Sequence, residues 1–559
     1  DDIWYLKKYL PFDFSIWKLM WRKNYFSLES FYEYLNLHKS LSREQMSFFL
    51  KVYLWSLDTN YGELRELEYY GEEFNYLSFI HTPEGGDYFF EKNAPHWEFY
   101  LMARRQAENA DLIITNTHVL LQDTGSEDSI FWNIDTYIID EAHGLEDSVT
   151  SSQMQTFSLP YILQFFWVIQ RKIQIHGLQV SLDILASEIE YKTSDLLAFC
   201  EKIASSQFYY NPQYKKYLFK PTDLQNDAFV IAWAQKIVSL VWELEGILGS
   251  EATKKYFTRE IHTIHLMKQF LHNFFIQRDY QKYIYTCDIS PGSAVQISYT
   301  ILQTWLFLKE ELWSKKKRII LTSATLFHSW KDFYSDTLYG IESFKKYILP
   351  PVFNYQEQAY IAIPTDIPDA KNLGTNALQF LRDFFLKVGW RTLMLCTSYN
   401  SIKEVYLWLH SELSNKGVHM IAQWFAWGKN KHLESYLSSP QNSILIGTDN
   451  FWQGVDIPGK DLTYLVIHKL PFSPPSDPIF LARSQLFANS FYDYAIPKTS
   501  LKLRQGLWRL IRTHSDRGVI VILDDRIITQ KWGQEFLNIF PENIQVLREN
   551  SKYILDSVW

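Results

Sequence analysis

The chain has 559 residues, of which 47% are apolar and 21% are charged, and its formal net charge is −8. This length exceeds what one compact core holds and indicates three or four structural units. The negative charge disfavours a protein that coats nucleic acid, because such binding depends on clustered cations. The sequence has neither an apolar run of about 18 residues nor an apolar signal core at its start, so we expect no membrane contact.

The cysteines indicate the redox environment of the protein, and the first residues bear on whether the chain is a fragment. Cys200, Cys287 and Cys396 lie too far apart to form a close-spaced metal cluster, and a disulfide framework is equally unexpected. We therefore expect a reducing, cytoplasmic environment. The chain begins at Asp1 without an initiating Met, and we expect it to be a truncated piece of a longer protein.

Short, continuous apolar runs recur along the chain and predict strands that are covered on both faces, as in a parallel α/β sheet. These runs are Leu112–Thr115, Tyr137–Ile139, Ile319–Leu321, Thr392–Cys396, Ile444–Ile446, Tyr464–Ile467 and Val519–Leu523. Between about residues 150 and 300 apolar residues recur instead at spacings of three and four, which predicts a mainly helical insertion. Leu349-Pro350-Pro351 then marks the crossing into a second α/β unit.

The predicted strand at Thr136–Ile139 ends in two adjacent carboxylates, Asp140 and Glu141, followed by Ala142 and His143. Open α/β sheets bind ligands at such strand ends. One carboxylate can hold a hydrated magnesium ion, and the other can orient the water that attacks a γ-phosphate. The alternative is a helix N-cap followed by a first-turn acid.

Three further segments follow in order along the chain. Thr322, Ser323 and Thr325 end a second apolar strand, and their hydroxyls can exchange hydrogen bonds with the carboxylate loop; the alternative is a helix cap. The loop 447–459 carries two glycines beside acids and aromatic residues, which permits close approach to a ligand. Spacings of four and three then predict that Gln505, Arg509 and Arg512 share one helix face as a phosphate clamp, the alternative being a pair of surface arginines.

Together these four segments resemble motifs II, III, V and VI of the DinG helicases, which are relatives of the XPD family within superfamily 2. Flanking segments extend the resemblance over nearly the whole chain, and they are residues 6–14, 103–111 and 469–478. The resemblance implies an α/β fold of two RecA-like parallel-sheet lobes with ATP between them. The first lobe would comprise residues 1–150 and 301–345, interrupted by an arch-like insertion at 151–300. The second lobe would comprise residues 346–559.

The resemblance also implies roles for individual residues. Asp140 would bind the metal and act in catalysis with Glu141, and Arg512 would be the arginine finger. The other implied site residues are Gln505 and Arg509 in catalysis, His143, Gly454 and Asp456 in nucleotide binding, Thr322, Ser323 and Thr325 in coupling, and His118 and Trp452 on the DNA. The implied cofactors are ATP and Mg²⁺.

Two departures from the family pattern concern bound groups. The sequence contains no Gly-x-x-x-x-Gly-Lys-Ser/Thr loop to cradle phosphates, so this polypeptide alone should hydrolyse ATP poorly or not at all. Many relatives hold an iron–sulfur cluster on four cysteines. The corresponding region, at about 20–105, has no cysteine, and Ser27 stands about where the first ligand would be. Since such a cluster needs thiolates, we expect none. Packed aromatic residues are candidates for holding this region together, among them Tyr88, Phe89, Phe90, Phe99 and Tyr100.

A third departure is tryptophan in places where the family has glycine. Trp508 takes the glycine position of Gln-x-x-Gly-Arg, and Trp21, Trp390 and Trp424 are similar cases, whereas Trp452 fits the family as tryptophan. One hypothesis is that UGA codons were translated as Trp although the organism inserts Gly there. The alternative is genuine divergence with impaired hydrolysis.

The function that this resemblance implies is an ATP-dependent, 5′-to-3′ DNA helicase. Its expected partners are single-stranded DNA and DNA junctions, in repair or recombination. The alternative is a non-hydrolysing, single-stranded-DNA-binding remnant that kept the fold and lost the motor. An upstream nuclease domain, present in some relatives, stays open as a further possibility.

Overall fold

The molecule consists of two lobes, an insertion in the first lobe and a small subdomain near the start of the chain. The computed structural model describes residues 7–38, 40–67, 73–82, 98–124, 129–131, 133–206, 215–224, 228–289, 295–315, 318–326, 341, 343–350, 352–367, 373–388, 391–423, 429–448, 451, 457, 459–507, 509–541 and 543–558. Within these ranges, no helix combines the length and the apolarity needed to cross a bilayer.

Helices and strands alternate through most of the chain. The strands are β1 (Ile16–Leu19), β2 (Leu112–Thr115), β3 (Thr136–Ile139), β4 (Gln155–Ser158), β5 (Lys215–Leu218), β6 (Tyr283–Ile289), β7 (Val295–Ile301), β8 (Arg318–Leu321), β9 (Ala359–Pro364), β10 (Thr392–Leu395), β11 (His419–Ala422), β12 (Ser443–Gly447), β13 (Tyr464–Ile467), β14 (Gly518–Ile522) and β15 (Gln545–Glu549). The α-helices are α1 (Leu28–Leu37), α2 (Arg43–Asp58), α3 (Glu73–Tyr76), α4 (Phe99–Glu108), α5 (Thr117–Asp123), α6 (Leu145–Ser152), α7 (Leu159–Ile175), α8 (Asp183–Ser206), α9 (Pro221–Leu224), α10 (Ala228–Leu248), α11 (Thr258–Leu271), α12 (Thr304–Leu308), α13 (Tyr355–Gln358), α14 (Thr375–Val388), α15 (Tyr399–Asn415), α16 (Lys429–Ser438), α17 (Pro478–Ser484), α18 (Ile496–Leu507), α19 (Arg526–Thr529), α20 (Gly533–Leu537) and α21 (Ser551–Ser557).

The second lobe is built on a seven-stranded parallel sheet with the strand order β11-β12-β10-β13-β14-β9-β15. Strands β9, β10, β12, β13 and β14 are buried along their whole length, because apolar clusters cover both faces of the sheet. This burial explains their continuous apolar sequences. The predicted α/β fold with a parallel sheet is therefore confirmed.

The strands of the first lobe form two separate parallel pairs in the part of the chain that the structure describes. Strand β1 pairs with β2, and β3 pairs with β8. Neither pair is hydrogen-bonded to the other among these residues, and β3 and β8 flank the insertion in the chain. One face of the β3–β8 pair is open, which leaves Ile138 66% exposed and Ile320 52% exposed.

The insertion combines long helices with an antiparallel sheet. Helices α7, α8, α10 and α11 enclose a large apolar core together with a four-stranded sheet in the order β4-β7-β6-β5. The prediction of a mainly helical insertion did not include this sheet. Its longest strands, β6 and β7, are rich in Tyr, Ile and Thr, which are residues that favour strands.

The small subdomain near the start of the chain is packed around aromatic rings. Its core contains Phe26, Phe31, Tyr34, Phe48 and Phe49. The packed aromatic residues proposed from the sequence were partly different ones. Of those, Phe99 and Tyr100 pack beside this subdomain, whereas 88–90 lie outside the described residues.

A helical segment links the two lobes, and we call it the inter-lobe arm (residues 478–507). It leaves the sheet of the second lobe after β13 and ends before β14. Tyr494 and Leu501 of the arm belong to the apolar core of the first lobe, whereas Leu503 and Leu507 belong to the core of the second. The arm is thus shared by both lobes.

Candidate nucleotide site

The ends of β3 and β8 bring two of the predicted segments together. The strands pair in parallel, with Ile139 opposite Leu321. Backbone hydrogen bonds continue the ladder past the strands, since Thr322 N donates to Ile139 O at 2.9 Å and Ala142 N donates to Thr322 O at 3.1 Å. This pairing fixes the carboxylate loop beside the hydroxyl-bearing segment.

Glu141 occupies a strained backbone conformation at this strand end. Its φ is 48° and its ψ is 43°, the left-handed region that residues with side chains seldom adopt. Such a conformation costs on the order of 1 kcal/mol and persists only where surrounding contacts enforce it. The Asp140 side chain is exposed, and its Oδ1 accepts a hydrogen bond from Glu141 N at 3.0 Å.

Four side chains form a polar group that we call the carboxylate–hydroxyl cluster, namely Glu141, His143, Ser323 and Thr325. His143 Nδ1 lies 2.8 Å from Ser323 Oγ, 3.0 Å from Glu141 Oε2 and 3.2 Å from Thr325 Oγ1. Ser323 Oγ donates to Glu141 Oε2 at 3.1 Å. The hydrogen bond with His143 is the main reason why the pKa of Glu141 lies below its usual value. The cluster thus favours the ionised carboxylate.

The second lobe reaches this cluster through the end of the inter-lobe arm. Gln505 Nε2 donates to Thr325 Oγ1 at 3.4 Å. Arg509 is buried, and burial lowers the pKa of its guanidinium to about 10, an effect that the nearby carboxylate of Glu141 opposes. A glutamine and an arginine of one lobe therefore face an acid and a hydroxyl of the other.

The predicted single helix face for Gln505, Arg509 and Arg512 was wrong. Helix α18 ends at Leu507, so both arginines lie in the loop that follows it. Asp516 draws the chain into this loop, because its Oδ2 accepts hydrogen bonds from the backbone N–H groups of Arg512 and Thr513, each at 2.8 Å. Burial lowers the pKa of the Arg512 guanidinium, and the nearby carboxylate that opposes this lowering is Asp516. For Arg509 the opposing carboxylate is Glu141.

Of the remaining predicted residues, His118 and Thr322 are not members of the cluster, and the others lie outside the described residues. His118 stands in the first turn of α5, with its ring edge-on to that of Trp21 at 5.6 Å between centroids. Thr322 is exposed beside the cluster. Gly454, Asp456 and Trp452 lie outside the described residues, as do Trp390, Trp424 and Trp508.

A buried charge cluster beside this site was missed from the sequence. Its centre is Glu146 on α6, whose Oε1 accepts hydrogen bonds from Arg483 Nη1 at 2.9 Å and Tyr494 OH at 2.7 Å. Lys498 Nζ lies 3.2 Å from the same oxygen and 3.1 Å from Asp147 Oδ1. In sequence, Glu146 has the pattern of an ordinary first-turn acid at a helix N-terminus, so nothing distinguished it.

The residues present fit part of an ATP–magnesium site. Such a site needs carboxylates, an arginine, and a loop whose backbone amides and lysine cradle the phosphates. Asp140, Glu141 and Arg509 supply the first two, and the exposed Asp140 suits a hydrated Mg²⁺ ion with few protein ligands. The sequence lacks the phosphate-binding loop. Among the described residues, no group of three or more His, Cys, Asp or Glu side chains could hold a metal.

The residues around Ser27 do not fit an iron–sulfur ligand site. Ser27 is buried and caps helix α1, since its Oγ accepts a hydrogen bond from Ser30 N at 3.1 Å. The same hydroxyl donates to Glu98 Oε1 at 3.3 Å, and burial raises the pKa of Glu98. A serine engaged in this way supplies no thiolate.

Comparisons with known proteins agree with this geometry. A family model described as "Helicase C-terminal domain" matches residues 381–543. The 3′-5′ exonuclease DinG of Bacillus subtilis is 24% identical over an alignment of 555 positions, which covers 88% of this chain and 58% of that protein. The ATP-dependent DNA helicase YoaA of Haemophilus influenzae is 26% identical over an alignment of 564 positions, which covers 97% of this chain and 84% of that protein.

The fold has a counterpart among solved structures. An XPD helicase matches with a TM-score of 0.53 at 14% identity, over 98% of this chain and 89% of the other. The chain spans less than two thirds of the B. subtilis relative, at 58% of its length. Sequence relatives, family model and fold agree: the chain is similar in sequence to the DinG and YoaA proteins and in fold to an XPD helicase.

Proposed function

We propose that this chain forms most of an ATP-driven DNA helicase whose hydrolysis site lies between the two lobes. The observation that carries the proposal is the hydrogen bond from Gln505 of one lobe to Thr325 of the other, beside Arg509, whose guanidinium interacts electrostatically with the Glu141 carboxylate. An acid and an arginine that face each other in a cleft suit the reaction at a terminal phosphate. The acid can orient the attacking water, and the guanidinium can stabilise developing negative charge.

Each member of the site has a distinct role in this proposal. Asp140 would hold Mg²⁺, which supplies charge neutralisation on the phosphates when bound. His143 and Ser323 hold the Glu141 carboxylate in its ionised form and in place. Thr325 transmits changes at the acid to Gln505, and hence to the second lobe. Arg509 replaces Arg512 as our candidate for the arginine finger, because Glu141 acts on Arg509.

The finer activity rests on the relatives. YoaA of H. influenzae is named an ATP-dependent DNA helicase, and we propose the same activity here. We further propose movement in the 5′-to-3′ direction along single-stranded DNA and action at junctions with duplex DNA, with His118 and Trp452 near the DNA path.

The phosphate-binding loop has to come from polypeptide outside this sequence if the proposal holds. The open face of the β3–β8 pair, where Ile138 and Ile320 are exposed, offers an apolar surface beside the carboxylate loop. In the second lobe the corresponding central strands are covered on both faces. We infer that a further α/β element covers this face and brings the loop to the site.

The test is DNA-stimulated ATP hydrolysis by the complete gene product, compared with its Glu141→Gln variant. We expect a fall in kcat of at least about 100-fold, because the amide cannot act as the ionised acid does. Glu404→Gln, an exposed glutamate on α15, is the matched control and should leave kcat unchanged. If Glu141→Gln binds single-stranded DNA normally and wild type shows no hydrolysis to lose, the chain is instead a non-hydrolysing DNA-binding remnant.

A further inference from the structure

We infer that Glu146 is a positioning residue for the proposed ATP site, acting through the inter-lobe arm. Glu146 fixes the arm near its middle by ionic contacts, so that Gln505 at its end and Arg509 just beyond it stay aligned with the carboxylate–hydroxyl cluster. The inference rests on the proposed function. It concerns residues that touch neither nucleotide nor DNA in that proposal.

The contacts around Glu146 are both buried and charged. Side-chain exposure is 2% for Glu146, 3% for Arg483 and 24% for Lys498. Two carboxylates of α6, Glu146 and Asp147, face two cations of the arm, so the charges balance. Attraction between such groups is far stronger away from water than at the surface, which makes this a firm attachment.

The arm is attached to the first lobe at two points. Lys498 contacts Glu146 and Asp147, and Gln505 and Arg509 lie next to the cluster that contains Glu141 and His143. Lys498 and Gln505 are both on α18, about 10 Å apart at the rise of an α-helix. A helix held at two points this far apart cannot swing without breaking one of them.

The apolar contacts alone would leave the arm free to rotate. Tyr494 and Leu501 pack into the first lobe, and Leu503 and Leu507 pack into the second. Apolar packing is not directional, whereas hydrogen-bonded ion pairs fix an orientation. The charge cluster therefore sets the angle at which the end of the arm meets the site.

The same cluster also holds the base of the insertion. Arg483 donates to the backbone carbonyls of Ile301 at 3.0 Å and of Leu302 at 3.1 Å, at the end of β7. One arginine thus joins the acid on α6, the arm and the strand that leaves the insertion. Movement of the insertion can reach the hydrolysis site by this route.

The test uses Lys498, because changing the fully buried Glu146 or Arg483 endangers folding. The variants of the complete gene product are Lys498→Met, which removes the charge, and Lys498→Arg, which keeps it. Lys416→Met, an exposed lysine at the end of α15, is the matched control. The measurements are kcat and KM for ATP in DNA-stimulated hydrolysis, the melting temperature, and hydrogen exchange of residues 139–147 and 318–326.

For Lys498→Met we expect kcat to fall about tenfold while KM for ATP stays within about twofold, as for misalignment of a catalytic group. Hydrogen exchange should become faster in residues 139–147 and 318–326 and stay unchanged elsewhere, with a smaller fall in melting temperature than Glu146→Gln causes. Lys498→Arg should restore kcat and exchange, and Lys416→Met should match wild type.

Three outcomes would overturn the inference. The first is an unchanged kcat and unchanged exchange in Lys498→Met. The second is a loss that Lys498→Arg does not restore, and the third is a general fall in melting temperature with faster exchange everywhere. If wild type hydrolyses no ATP, the proposed function fails. The exchange measurement still decides whether Lys498 holds the arm against the site.

Discussion

Replacing Glu146 by glutamine removes the negative charge that faces Arg483 and Lys498 while keeping the shape of the side chain. Its neighbours lower the pKa of Glu146 from 4.5 to about 2, although burial alone would raise it. A carboxyl whose pKa falls this far on folding is stabilised as the anion by about 3 kcal/mol. We therefore expect the Glu146→Gln variant to lose about 3 kcal/mol of stability at pH 7.

The dependence on pH follows from the sign of this change. The folded pKa lies below the ordinary value, so the anion contributes its full stability above pH 4.5. That contribution is lost as the pH falls from 4.5 toward 2. The difference in stability between wild type and Glu146→Gln should therefore be largest near neutral pH and shrink in acid.

The assay is thermal unfolding of wild type and variant at several pH values, with Glu404→Gln as the exposed control. A loss of about 3 kcal/mol corresponds to a fall of roughly 6–12 °C in the melting temperature of a lobe-sized unit. A fall below about 2 °C at pH 7 would refute the reasoning. It would mean that desolvation cancels the ionic attraction, as happens for some buried pairs.

Three further predictions concern other parts of the chain. Arg509→Ala should lower kcat for DNA-stimulated ATP hydrolysis about tenfold more than Arg512→Ala, because Glu141 acts on Arg509; steady-state kinetics with equal losses would contradict this. Ser27→Ala should destabilise the small subdomain by about 1 kcal/mol, because the cap on α1 is lost. Hydrogen exchange of residues 28–37 measures this loss, and unchanged exchange would count against the prediction. Peptide sequencing of the protein from its native organism should find glycine at position 508, and tryptophan there would disprove the codon hypothesis.

The sequence predicted the second lobe well because its strands are long enough and apolar enough to be recognised singly. The predicted run at Thr392–Cys396 corresponds to β10, and the run at Tyr464–Ile467 is β13. The sheet of the insertion was missed because its strands lie among long helices whose spacing of three and four dominates the pattern.

The candidate site was predictable only where consecutive residues form it. Asp140, Glu141 and His143 lie in one short segment, and their strand-end position follows from the apolar run before them. The loop after α18 is held by Asp516, whose carboxylate accepts hydrogen bonds from the backbone N–H groups of Arg512 and Thr513, and spacing alone could not show this. Glu146 was missed for a similar reason, since its partners Arg483 and Lys498 follow more than 300 residues later.

The central claim is that Glu141 and Arg509 act on the same phosphate from opposite lobes. A structure of the complete gene product with Mg²⁺, single-stranded DNA and ADP–beryllium fluoride, a mimic of ATP, tests it most directly. We predict the Arg509 guanidinium and the water held by Glu141 on opposite sides of the fluoride group, each within about 4 Å of it. A bound nucleotide that contacts neither residue, or lies away from the cleft between the lobes, would contradict the account.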